Sequence, residues 1–428
     1  LSVVNSLSSS NWLRSAAPYI NSHRGCTFVL MIPSSAILHA NFSFIVQDLA
    51  LLHSLGVRLV LVCGVRKYVE KQLLANNLPN IYQQNLRITC RQTLNCVMEQ
   101  TGKLQAKLFA KLSVNITGSP LAGAKMCVAN GNFVTAKPYG VIDGIDLQYT
   151  GKVRKVDARK LNLLLDNQII PLITPICSAP TGEVFNVSAH EIAMQVATNM
   201  QADKLILFDQ TEGIFNDGKL IREIALNNIN DYLPHPLLEI ANYACKNNVK
   251  RCHLISYQIN GALLDELFTR KGSGTLVIAQ SLEVIRCAHH ADIGAILDLI
   301  NPLEQQGILV KRSRAILTKQ INNFYVITID KLIVGCAALY PQQNGSAELA
   351  CLVVHQDYQK QGFAEKLLKY AEQLALQQQI KQIFILTTHT DHWFIQHGFT
   401  KADISDLPLE RANLYNYQRK SKILIKQL

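Results

Sequence analysis

Apolar positions along this chain follow two rhythms. Up to about residue 280, near-continuous apolar runs at Cys26–Ile32, Val57–Cys63, Ile169–Ile176, Lys204–Phe208, Arg251–Ser256 and Thr275–Ile278 read as strands buried on both faces. Helix-period segments separate them: Phe42–Leu55 closed by Gly56, Val69–Ala75, a longer one around Thr93–Thr117, Ala189–Met200, Leu237–Asn247 and Gly261–Thr269. A short helix near Trp12–Ala17 is expected to stop before Pro18, either as an arm on a neighbouring subunit or as a terminal helix of its own domain. The Gly/Pro-rich stretch Gly118–Gly151 reads as hairpins. Strands alternating with helices predict an α/β sandwich on a parallel sheet.

A seam at Gln280–Val284 changes the rhythm. A helix at Ile293–Ile300 precedes two alternating strands, Phe324–Ile329 and Leu332–Tyr340, joined at Asp330-Lys331. Next come a strand at Ala347–His355, a turn, and the helix Phe363–Leu376. The remainder reads as a parallel-type strand at Ile383–Thr388, a short helix His392–His397 before Gly398-Phe399, and a last strand within Leu414–Ile425.

The 428 residues exceed one typical core, which predicts two or three domains. Hydrophobic residues at 48% and charged residues at 17% fit a globular protein with substantial cores. The net charge of +11 is spread along the chain without aromatic interleaving, which ranks nucleic acid below an acidic metabolite. Eleven cysteines lack C-x-x-C spacing, so zinc is not expected, and their scatter favours a reducing cytoplasm. No signal peptide and no membrane span are expected.

Chemistry enters at the turn Gln359-Lys360-Gln361-Gly362-Phe363-Ala364, between an apolar strand and a long amphipathic helix. Such a turn can aim backbone N–H groups and a helix N-terminus at phosphate. The Gln-x-x-Gly-x-Ala spacing resembles the pyrophosphate loop of the Gcn5-related N-acetyltransferases. The element order of the last 145 or so residues resembles their mixed-sheet fold as well. Residues 26–280 resemble the three-layer α/β sandwich of the amino-acid kinases, after an N-terminal arm at 1–25. There the phosphate loop Lys-x-Gly-Gly of active kinases is replaced by Met31-Ile32-Pro33-Ser34-Ser35, so that domain is expected to be non-phosphorylating. With 281–428 as the acetyltransferase domain, the whole chain is similar to the two-domain bacterial N-acetylglutamate synthases.

That resemblance implies direct acetyl transfer from acetyl-CoA to the α-amine of L-glutamate, the first step of arginine biosynthesis, with L-arginine as inhibitor and no metal. Acetyl-CoA would lie on Gln359, Gln361, Gly362, Phe363 and Ala364, its carbonyl met by backbone N–H groups near Leu352, Val353 and Val354. Glu348 would act as base, directly or through water, and Cys351 lies at a substrate-proximal position. Strand alternation alone puts Glu348 with Ala350 on one face and Leu349 with Cys351 on the other. Arg312 and Arg419, with Ser421, would read the two carboxylates of glutamate. Phe394 stands where the fold often has a tyrosine acid, with His392 and His397 as substitutes in principle.

Regulatory arginine would meet Tyr19, Glu239 and the loop Lys271, Gly272 and Gly274. The family implies homo-oligomers, commonly hexamers. Two alternatives stand: an acetyltransferase for another amine, or a non-catalytic arginine sensor.

Overall fold

The computed structural model describes residues 9–428 except 115–118, 120, 121, 125, 270, 280–282, 330, 331, 343, 360, 361, 389, 414 and 418–420; of 9–15 it describes the backbone alone. Two compact units divide the chain, Leu1–Gln280 and Ser281–Leu428, and each builds its own core.

The first unit contains strands β1 (Thr27–Ile32), β2 (Arg58–Cys63), β3 (Cys127–Ala129), β4 (Val134–Pro138), β5 (Thr150–Val156) and β6 (Ile169–Ile173). It continues with β7 (Ile176–Ser178), β8 (Val184–Val187), β9 (Lys204–Asp209), β10 (Glu223–Ala225), β11 (Arg251–Ser256) and β12 (Thr275–Ile278). Eight of these form one sheet in the order β10-β12-β11-β9-β1-β2-β6-β3, parallel except between β11 and β12. Its helices are α1 (Ser9–His23), α2 (Ser34–Leu38), α3 (Phe42–Ser54), α4 (Arg66–Ala75), α5 (Arg91–Leu112), α6 (Ala158–Asp166), α7 (Ala189–Asn199), α8 (Pro236–Lys246) and α9 (Ala262–Phe268).

Alternation along β1 explains the continuous apolar run. Phe28, Leu30 and Ile32 face a core shared with α3, α4, α5 and α9, while Val29 and Met31 face the core of α6, α7 and α8.

Two boundaries differ from the sequence expectation. Helix α1 does not stop before Pro18 but runs through it to His23. Proline removes a single N–H from the helix ladder, and packing beyond it compensates. Ala16 is buried, Tyr19 and Ile20 pack on the core, and His23 Nε2 lies 2.8 Å from the Leu267 carbonyl oxygen on α9. The run Ile169–Ile176 is two strands rather than one. Pro175 cannot donate to a ladder, so β6 ends at Ile173 and β7 leaves to join a closed barrel, β7-β8-β5-β4.

The second unit holds β13 (Glu283–Cys287), α10 (Ile293–Gln305), α11 (Arg314–Gln320), β14 (Phe324–Ile329), β15 (Leu332–Pro341) and β16 (Ser346–Val354). It is completed by α12 (Phe363–Gln377), β17 (Gln382–Thr387), α13 (Asp391–Gln396), β18 (Thr400–Ala402), α14 (Leu409–Asn413) and β19 (Lys422–Gln427). The sheet order is β13-β14-β15-β16-β17-β19-β18, and only the β16/β17 pair is parallel. Helix α12 covers one face through Phe363, Leu367, Leu368, Ala371 and Ala375. Helices α10 and α11 cover the other through Ile293, Ile296, Ile300 and Leu317.

The last strand departs from expectation. It begins at Lys422, and of the polar segment before it the described residues, 415–417 and 421, lie in no strand. The Asp330-Lys331 junction lies outside the described residues, though β14 and β15 pair antiparallel as expected.

Candidate functional site

The site forms where β16 parts from its neighbours. On one edge, β16 pairs with β17 only at Ser346, Ala347 and Glu348. From Leu349 onward that edge has no strand partner among the described residues, so its backbone groups are available to a ligand. On the other edge, Ala338 of β15 faces Ala350 while Cys336 faces Val353. Cys351 and Leu352 therefore oppose one residue, Ala337, which is a β-bulge. Cys351 supplies it with a left-handed φ of 52°.

The bulge corrects the simple alternation. Ala347, Leu349, Leu352 and Val354 face α12, whereas Cys351 and Val353 join the core under α10 and α11. Ala350 shares that second face through Ala338, as does Glu348 through its partner Tyr340, which packs there. Glu348 and Cys351 thus stand on the same face, and the extra residue puts them there.

Four more side chains converge on that face. Burial lowers the Arg312 guanidinium, but Cys351, Tyr340 and Glu348 around it more than offset this and leave it raised. Its loop is pinned by Glu304 of α10, which is 8% exposed and accepts the Arg312 backbone N–H at 2.9 Å. Burial, opposed by Arg312, pushes the Tyr340 phenol up to about 12, and its hydroxyl lies 3.1 Å from Gln320 Oε1. Burial likewise drives the Cys351 thiol up to about 11. Arg411 of α14 pairs with Glu348 at 2.6 Å.

Beyond β16 the chain turns through Gln359, whose amide donates to the Val354 carbonyl oxygen at 3.2 Å. Gly362 then caps α12 with φ 82°, a conformation that favours glycine even though a Cβ would meet open space. Phe363 is buried in the core and Ala364 is half-buried, so their contribution to a ligand is backbone N–H groups at the helix start. Gln361 lies outside the described residues, as does Arg419. Ser421 is half-buried, and its carbonyl oxygen accepts the Tyr415 hydroxyl at 2.8 Å. Phe394 is core, between Trp393 and Phe399. His392 is exposed, and His397 Nδ1 lies 2.7 Å from the Trp393 carbonyl oxygen. Thr388, directly after β17, keeps a buried hydroxyl without a hydrogen-bond partner among the described residues. No three metal-ligating side chains converge among the described residues, and no described helix is long and apolar enough to cross a membrane.

Residues 27–256 match the amino acid kinase family and residues 320–401 match the acetyltransferase (GNAT) domain. Amino-acid acetyltransferases of Pseudomonas syringae pv. syringae and Azotobacter vinelandii are 46% and 47% identical to this chain, each over 98% of it and 99% of the relative. The chain belongs to the amino-acid acetyltransferases. Among solved structures, N-acetylglutamate synthase from Neisseria gonorrhoeae complexed with coenzyme A and L-arginine superimposes with a TM-score of 0.86 at 33% identity, covering 98% of this chain and 99% of that one. The same Neisseria enzyme with coenzyme A and N-acetyl-glutamate gives a TM-score of 0.63 over the same coverage. The fold is accordingly an amino-acid kinase-like sandwich followed by a GNAT domain, and the protein is an acyltransferase.

In the kinase-like unit of this acetyltransferase, Met31 is buried in the core and Pro33 caps α2. Ser34 Oγ accepts the Lys67 N–H at 2.9 Å. Among the residues expected to meet arginine, Tyr19 and the Lys271–Gly274 loop belong to one layer, since α1 packs against α9 and the loop follows α9. Glu239 does not join them. It is exposed on α8, whose apolar side belongs to the core on the opposite face of the sheet.

The carboxylate that does meet the loop is Glu266 of α9. It accepts the Ser273 and Gly274 N–H groups at 2.7 and 2.8 Å and lies 2.7 Å from His253 Nδ1. Burial raises Glu266, yet these donors hold it well below the usual carboxylate range. Burial, then Lys204, lowers His253 to about 4 against the pull of Glu266, and its Nε2 lies 3.4 Å from the buried Lys204 amine. Tyr340 could have been found by counting the β15/β16 hairpin; for Arg411, Glu304 and Glu266 the sequence carries no local signal.

Proposed function

We propose that this acetyltransferase is an N-acetylglutamate synthase. The observation that carries the reading is the gathering of Arg312, Tyr340, Glu348 and Cys351 on one face of a strand that is bulged and unpaired at that point. Acetyl-CoA would lie with its pyrophosphate at the Gly362 turn and the start of α12, beside Gln359 and the backbone of Phe363 and Ala364. Its thioester carbonyl would enter the opening beyond Glu348, where N–H groups of Leu352, Val353 or Val354 would take the developing oxyanion.

The α-amine of glutamate would attack the thioester carbon, forming the C–N bond as its ammonium proton passes to Glu348 or through a water to it. Collapse of the tetrahedral intermediate would break the C–S bond and release coenzyme A as thiolate, a tolerable leaving group without a tyrosine acid, while the second amine proton leaves the nitrogen for solvent or for the departing thiolate. The Cys351 thiol, raised by burial, is a poor nucleophile, which supports direct transfer. Arg312 would read one glutamate carboxylate, with Arg419 and Ser421 at the other. A polyamine acceptor would want carboxylates where this site offers Arg312.

The kinase-like unit would not transfer phosphate and would instead respond to L-arginine. Support comes from the Neisseria complex and from Glu266, a buried carboxylate beside the Lys271–Gly274 loop. The test is coenzyme A release from acetyl-CoA by the purified protein with L-glutamate, then with glutamate plus arginine. Glutamate-dependent release supports the synthase, and suppression by arginine that Glu266→Gln abolishes supports the regulatory site. Release with a different amine alone would sink the substrate, and silence with every amine would favour an arginine sensor.

A further inference from the structure

Arg411 meets Glu348 side-on. Its Nε donates to Oε2 at 2.6 Å and its Nη2 to Oε1 at 3.0 Å. The side chains are only 24% and 15% exposed, which separates the pair from the solvent-screened surface pairs that contribute little. A guanidinium fork of this kind fixes the plane of a carboxylate as well as attracting its charge.

The backbone carrying Arg411 is itself anchored. Leu407 lies in a small core with Phe384, Ile423 and Ile425 of β17 and β19, and Ala412 and Tyr415 pack against it. The Tyr415 hydroxyl then bonds the Ser421 carbonyl oxygen. Leu407, Ala412 and Tyr415 of this strap therefore pack over β17 and β19, and that bond ties it to Ser421, the residue assigned above to the substrate carboxylate. The strap reaches β16 at Glu348, whose partner Phe384 is the last register pair before β16 and β17 separate.

We propose that Arg411 is a positioning residue: it sets the plane and rotamer of the Glu348 carboxylate and couples them to Tyr415 and the Ser421 carbonyl that Tyr415 bonds. Each carboxylate oxygen keeps a lone pair outside the fork, available to the ammonium proton or a bridging water. The inference rests on the reading of Glu348 as the base.

A double-mutant cycle on the intact chain tests it, with L-glutamate and acetyl-CoA as substrates and Arg411→Ala, Glu348→Gln and the double variant compared. Arg411→Ala is expected to lower kcat roughly tenfold or more while KM for acetyl-CoA stays put, because orientation is lost and donor binding is not. Methylguanidinium is expected to restore part of the rate. In the Glu348→Gln background the Arg411 change is expected to cost nothing further, as for two residues acting as one unit.

Equal losses in both backgrounds would show Arg411 acting on substrate or strap independently of Glu348, and would overturn the proposal. An unchanged rate in Arg411→Ala would do the same. If Arg411→Ala does not fold, Arg411→Lys carries the comparison, since lysine keeps the charge but not the fork, and its loss is expected to vanish in the Glu348→Gln background. Full activity of Glu348→Gln alone would remove the base reading and this proposal together. Loss in Glu348→Gln with an additive loss in the double variant would sink only the proposal.

Discussion

The Cys336 thiol donates to the carbonyl oxygen of Cys351 across 3.7 Å, tying the bulge of β16 to the neighbouring strand. Cys351 is thus a backbone element first. With its thiol pushed up to about 11, chiefly by burial, roughly one in ten thousand is ionised at neutral pH. Cys351→Ala is expected to keep turnover within about threefold, since a protonated thiol offers no nucleophile. Rapid quenching with radiolabelled acetyl-CoA is expected to leave no acetyl group on the protein; label on Cys351 would contradict direct transfer. Cys351→Gly is expected to gain from a φ of 52° that favours glycine and to lose the packing of a buried side chain, so that its net effect on thermal midpoint is small.

Gly362 gives the corresponding expectation for the donor. Alanine there meets no neighbour, so its cost is that of a left-handed φ, about 1 kcal/mol. Gly362→Ala is expected to raise KM for acetyl-CoA severalfold without moving KM for the amino acid, as the start of α12 shifts to relieve the strain. Steady-state kinetics with each substrate varied in turn checks this.

Arg312 is expected to behave the opposite way. If it reads a substrate carboxylate as proposed, losing the guanidinium would remove a charge-assisted contact worth roughly 1.5–3 kcal/mol, or about 10- to 100-fold. Arg312→Ala should raise KM for glutamate by that factor and leave KM for acetyl-CoA alone. An equal rise in both would mean that Arg312 supports the fold of its loop rather than the substrate.

The pH dependence of stability follows from buried histidines. His23 is lowered to about 4, first by burial and then by Lys204, with its Nε2 held at the Leu267 carbonyl oxygen. His190 is lowered to about 4 by burial and by Arg66. In the unfolded chain each would titrate near its ordinary value, so as pH falls the unfolded state takes up the proton first. Stability is therefore full above about pH 6.5 and is lost as pH drops toward 4, by at most about 3 kcal/mol for the buried His23. Thermal midpoints between pH 7.5 and 4.5 are expected to fall accordingly, and His23→Gln is expected to flatten the slope.

Much of this architecture could be read from the chain. The strand Arg251–Ser256 carries apolar residues for both faces of its sheet, and Gly56 and Gly362 mark turns by their need for positive φ. The misreadings share a cause, which is that tertiary packing overrode a local signal. Pro18 could not stop α1 because Ala16, Tyr19 and Ile20 bind it to the core. Cys351 could not be placed on its face because a bulge is invisible to alternation. Glu239 looked suited to a guanidinium, yet the sheet stands between it and Tyr19, while Glu266 reaches the loop from the same layer.

The bulge also has a consequence for how this site can vary. Its chemistry depends on the count of residues between Ala350 and Val353 as much as on their identity. Removing one of them would close the bulge and restore strict alternation, with Ala350 still facing Ala338 and Val353 still facing Cys336. Glu348 could no longer share a side with both Cys351 and Val353, however faithfully each was kept. Deleting Leu352 is thus expected to leave the sheet paired while turning the Cys351 side chain toward α12, a change confined to the opening that no single substitution along this strand reproduces.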